Sequence, residues 1–135
     1  MAAFNKFNSF VEAIAEKVHN LGSDALMVAL SNTAPTSANV VLTDITEISY
    51  TNLSSRAITT NSSAQTSGTY KLVLADLVLT ASGAVAGFRY IVLFNNTATN
   101  KELIGWYDYG STVALASGET FTIDFDGAAG VLTIA

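Results

Sequence analysis

From residue 103 onward the chain alternates short apolar segments with tight glycine-containing turns. Leu103-Ile104-Gly105-Trp106-Tyr107-Asp108-Tyr109-Gly110 is followed by Val113-Ala114-Leu115-Ala116-Ser117-Gly118-Glu119. Phe121-Thr122-Ile123-Asp124-Phe125-Asp126-Gly127 and Val131-Leu132-Thr133-Ile134-Ala135 complete the series. Apolar runs this short, bounded this closely by turn residues, read as wound antiparallel β-strands. Long loops of the kind that carry enzyme sites have no room between them.

The same reading extends upstream. Ala25–Leu30 is a strand, and Tyr70–Thr80 is a long one whose parity slips. Tyr70, Leu72 and Leu74 share one face while Leu77 and Leu79 fall on the other, so a β-bulge is expected near Ala75-Asp76. Phe88–Phe94 is apolar on both parities, which predicts burial on two sides: the core on one, and the helix or a neighbouring subunit on the other. Asn95-Asn96 and Thr99-Asn100 frame a hairpin into Glu102–Tyr109, and Ser117-Gly118 and Gly127–Gly130 make the later turns. Within the Ser, Thr and Asn-rich stretch 51–67, a strand is expected at Arg56–Thr60. Residues 40–50 fit a strand followed by a short helical turn.

One segment has a different period. Phe7, Phe10, Val11, Ile14, Val18 and Leu21 recur at i, i+3, i+4 and i+7, which predicts an amphipathic helix at about 8–21. Ser9 or Asn8 is placed to cap it, with Glu12 completing a capping box, Lys17 and His19 in the last turn, and Gly22 as the stop. The sum is a single mainly β domain over 1–135. It is an antiparallel, jelly-roll-like β-sandwich of seven or eight strands with one N-terminal helix.

The totals narrow the function. The charged fraction is 13%, against about a quarter in ordinary globular domains. The polar surface is therefore mostly Ser, Thr, Asn and Gly, which suits a protein held against other protein. Six bases stand against eleven acids, and Lys6, Lys17, Arg56, Lys71, Arg89 and Lys101 are scattered, which argues against nucleic-acid binding. There is no cysteine, so disulfides, thiol nucleophiles and thiolate metal sites are excluded. Ala25–Leu30 is the longest apolar run, far short of the roughly 20 residues that a membrane helix needs. Met1–Lys6 has no secretion-signal pattern, so the product is expected in a cytoplasm unless lysis releases it.

The chemical constellations are weak. Asp124-Phe125-Asp126-Gly127 opens like a calcium loop, but position 135 is Ala where the closing Glu belongs, and a wet-face Asp124 with a turn at Asp126-Gly127 explains it. Trp106, Tyr107 and Tyr109 with Asp108 resemble a sugar-stacking platform, yet alternation sends Trp106 to the face opposite the two tyrosines. His19 is the one histidine, and no Gly-x-Ser-x-Gly elbow accompanies it. Catalytic residues, cofactor and metal are accordingly expected to be none. The helix stripe is left as the candidate contact: Phe4, Phe7, Phe10 and Val11 either close the chain's own core or dock on a partner.

Several longer motifs resemble small structural proteins of tailed-bacteriophage virions. They are Ala3-Phe4-Asn5-Lys6-Phe7, Val18-His19-Asn20-Leu21-Gly22-Ser23-Asp24, Ser63–Lys71, and Gly105–Gly110 with Gly118–Gly127. The resemblance implies a capsid decoration (cement) protein on the outer surface of the virion, made in the host cytoplasm. Its partners would be the major capsid protein and its own copies, as a dimer or trimer, with no nucleic acid, membrane or small-molecule substrate. The alternatives are a carbohydrate- or receptor-binding module of a head or tail fibre, or a tail accessory protein.

Overall fold

A computed structural model describes residues 2–135. The described chain is mainly β and antiparallel, with one short helix. In chain order it forms β1 Phe4–Lys6, helix α1 Ser9–Ala15, β2 Leu26–Ser31, a 3₁₀ turn Leu42–Asp44, β3 Thr60–Thr66, β4 Thr69–Leu74, β5 Leu77–Thr80, β6 Val85–Asn95, β7 Leu103–Leu115, β8 Thr120–Ile123 and β9 Leu132–Ile134. A four-stranded sheet runs β1-β7-β6-β2, a three-stranded sheet β3-β4-β9, and a pair β5-β8.

β6 explains the position of the core. Ile91 and Leu93 join Leu26, Val28, Leu30, Leu72, Leu79, Ile123 and Phe125 in the main buried cluster, so all three sheets feed it. Val92 and Phe94 point the other way, into a smaller cluster with Phe7, Ala29, Ile45 and Leu103. The two-sided burial expected for this strand is present. The second face is covered by Phe7 and the 42–45 turn of the chain itself. The N-terminal segment therefore passes from one side of the sheet to the other beside its outer strand β1, with Phe7 on one face and Phe10 of α1 on the other.

The expected helix at about 8–21 is shorter, ending at Ala15. Lys17 turns left-handed at φ 65°, and the Val18 amide reaches back to the Ala13 carbonyl at 2.9 Å, which closes the helix in the manner of a Schellman motif without glycine. A continued helix would have carried His19 and Leu21 past the sheet; the turn buries both. Asn8 makes no side-chain cap, so the capping box does not form, and Gly22 is not the stop.

The slip at Ala75-Asp76 falls where parity placed it, but it is a break between sheets rather than a bulge within a strand. β4 pairs with β9 and β5 with β8, so Tyr70–Thr80 runs as one ribbon against the returning chain with a bend between its halves. The surplus residues lie on the partner side, in the turn Asp126–Gly130. Asp76 pins the bend by accepting the Phe125 amide at 3.0 Å. The segments expected as separate strands at Glu102–Tyr109 and Val113–Ala116 are one strand, β7, with its register to β6 broken around Gly110 at φ 96°. The strand expected at Arg56–Thr60 contributes an isolated bridge, Ala57 to Met27, and the ladder begins at Thr60.

The loop 32–59 is anchored by Tyr50. Its hydroxyl accepts the Leu30 amide at 2.9 Å and donates to Glu47 at 2.6 Å, and Arg56 lies 3.5 Å over its ring. Burial, then the bond to Glu47, pushes ionisation of this phenol well above its ordinary range. Tyr50→Phe keeps the ring and strands the Leu30 amide, so it is expected to cost about 1–3 kcal/mol. Chemical denaturation checks this, and a change within error would mean that water replaces the hydroxyl.

Candidate functional site

The residues expected to make assembly contacts separate by burial. Phe7 and Phe10 are fully committed to the chain's own clusters. Phe4 is half-buried, its ring 5.5 Å from that of Tyr107. Val11, expected on the apolar stripe, is 51% exposed, because the buried face of the short helix centres on Phe10 and Ala13.

The aromatic trio splits as alternation requires. Trp106 packs on Phe7 at 4.6 Å on one face of the sheet. Tyr107 is buried on the other, its hydroxyl pushed up to about 12 by burial and then by Asp124 and Asp126. Tyr109 is half-exposed and stands edge-on to Phe121 at 5.1 Å. Asp108 is engaged by Arg89 through two bonds of 2.7 and 2.9 Å, and this partner, with the Gly110 amide, holds its carboxyl below the usual range. A shallow, mostly apolar groove of about 160 Å³ lies between Tyr107, Tyr109, Phe121 and Asp124.

The acidic pair resolves as a turn. Asp124 is exposed while Ile123 and Phe125 are buried. Asp126, at φ 49°, accepts the amides of Ala128 and Ala129. Among the described residues no group of three or more His, Cys, Asp or Glu side chains is placed to hold a metal ion. No helix among them is long and apolar enough to cross a membrane.

Two features were missed in the sequence. The first is the β3–β4 hairpin. Ser67 and Gly68 both have positive φ, 51° and 84°, the two-residue turn that matches strand twist. The Ser67-Gly68 dipeptide was the available signal. β3 is exposed along most of its length on both faces, and it is the outer strand of its sheet. Residues 57–69 carry no charge and no proline. Natural edge strands are ordinarily blunted by charge, proline, a bulge or a cover. Apart from the register shift between Thr60 and Ser62 and the approach of Gly22 to the Ser63 side chain, β3 has none of these among the described residues.

The second is the surroundings of His19, which is 5% exposed. It lies between α1 and β6, with its ring 5.5 Å from that of Phe10. Its Nδ1 is 3.0 Å from Asn95 Nδ2, which also donates to Asp24 at 2.6 Å. Burial pushes the imidazole below its ordinary value, against the opposing pull of Glu102 and Asp24.

The chain matches no family model, no curated protein and no solved structure.

Proposed function

We propose that the chain is a structural protein of a tailed-bacteriophage virion, of the capsid decoration type, working by adhesion to its own copies and to the major capsid protein. The single observation that carries this reading is the open, uncharged edge of β3. A row of unpaired backbone donors and acceptors is a template for strand addition by another polypeptide. Monomeric proteins avoid such an edge, whereas a lattice-bound protein uses one. The low charge and the virion-like motifs named above support the same assignment. In this reading the four-stranded sheet and the bent β4–β5/β8–β9 ribbon are the two layers of a sandwich, and β3 extends one layer toward a neighbour. Stabilisation of the head follows from mass action, since each bound copy favours the closed lattice.

The test is a double substitution on exposed positions of β3, Ser62→Lys with Ala64→Lys. Two edge charges oppose strand addition while leaving the core untouched. The expected result is an unchanged melting temperature with loss of self-association and of binding to particles stripped of the native protein. Undiminished binding by the folded variant contradicts the role given to β3.

A second reading is favoured by one observation, the groove at Tyr109. A half-exposed tyrosine beside Phe121 and the Asp124 carboxylate offers an apolar face and an acceptor, as carbohydrate recognition requires. Glycan binding that disappears in folded Tyr109→Ala would replace the first reading with a receptor-binding module.

A further inference from the structure

Asn95 is fully buried, and its amide orientation follows from its partners. Its Oδ1 accepts from the backbone amides of Thr97 and Ala98, at 3.0 and 3.2 Å, and those groups can only donate. Nδ2 is therefore the atom that faces His19 and Asp24, and its two hydrogens serve one each. His19 Nδ1 must then be an acceptor, so the neutral ring carries its proton on Nε2, a buried atom without a hydrogen-bond partner. Asp24 in turn accepts the Asn20 amide at 2.8 Å. The chain from His19 to Asp24 is thus tied to the end of β6 by a knot that tolerates one protonation state of one ring nitrogen.

We propose that His19 is an acid-sensitive latch: unprotonated, it holds segment 16–24 on β6 through Asn95, and a proton on Nδ1 sets two donors face to face and releases that segment. Segment 16–24 forms one wall of a groove of about 430 Å³ whose other wall is Ser63, Tyr70 and Ile134. Release therefore opens the groove beside the β3–β4 hairpin. The charged and titratable groups around the ring are Asp24 on its own loop, Glu102 before β7, Lys17 after α1 and Tyr70 on β4. The two acids favour the charged ring, and burial against Phe10 opposes it and outweighs them. The folded state thus disfavours the proton relative to the unfolded chain, whose histidine titrates near 6.5. Stability from the latch is complete above that value and falls as pH drops below it toward the lower folded value.

The experiment is nitrogen-15 NMR of the full chain, in which one histidine gives one imidazole. At neutral pH the expected spectrum shows Nδ1 bare and Nε2 protonated. On acidification the ring should titrate below 6.5, and the amides of Asn20, Thr97 and Ala98 should move with the same midpoint. His19→Phe keeps a ring against Phe10 and removes the imidazole, so these amides should lose the step at the histidine midpoint. A ring protonated on Nδ1 at neutral pH overturns the latch. So does titration of His19 with the three amides unmoved, or a step at the histidine midpoint that persists in His19→Phe. If that variant does not fold, the titration of the native ring decides alone.

Discussion

Phe7→Ala is expected to lower the unfolding free energy by about 3–5 kcal/mol, the range for a fully enclosed phenylalanine. Phe7 has no exposed surface and, with Phe94, is one of the two phenylalanines of the smaller cluster, where it closes the face of the four-stranded sheet turned away from the main core. Its backbone is equally engaged, since its amide donates to Ile104 at 3.2 Å and the next amide, Asn8, donates to Ser37 at 2.9 Å. The segment cannot follow the missing ring inward, so a cavity remains. Trp106, the only tryptophan, lies against Phe7 and reports the change, and its emission should shift red in the folded variant. Urea denaturation gives the magnitude. Val11→Ala, at an exposed position of the adjoining helix, is the control, expected within about 0.5 kcal/mol. Equal effects at the two positions would mean that the N-terminal segment is not packed as described.

Gly105→Val should cost about 3 kcal/mol, at the upper end for overpacking. Gly105 pairs with Lys6 across the β1–β7 ladder, and a Cβ there would run into the Phe4 ring and the Asn5 carbonyl. A ring tip alone could swing away; a backbone carbonyl in a ladder cannot, so β1 must leave the sheet. Phe4 would then give up its packing on Tyr107. Thermal unfolding should fall by on the order of 10 °C for a domain of this size. Amide signals of residues 4–6 should lose their protection while those of β2 keep theirs. Unchanged protection in β1 would contradict the close approach.

The parts of the fold that were legible are those where local pattern and tertiary packing agree. β6 announced its two buried faces because Tyr90–Phe94 is apolar at consecutive positions, and Tyr70–Thr80 announced its break because parity changes at Asp76. The helix was overdrawn because the spacing of Val18 and Leu21 continues a helical stripe, while nothing local marks Lys17 as left-handed. β3 was displaced because an exposed edge needs no apolar alternation, so Thr60–Thr66 carries a turn signal and no strand signal. The site was harder still. Phe7 and Phe10 looked the same as contact residues or core residues, and only the tertiary packing on the two faces of the four-stranded sheet separates the two roles. His19 read as an ordinary helix-end cation because its hydrogen-bond partner, Asn95, comes from the distant end of β6.

The proposed place of the chain in the virion wall is decided by quantitative mass spectrometry of purified particles. Many copies per particle are expected, in a fixed ratio to the major capsid protein and retained through washing in salt. Absence from mature particles, or a trace amount unrelated to the capsid subunit, would contradict it.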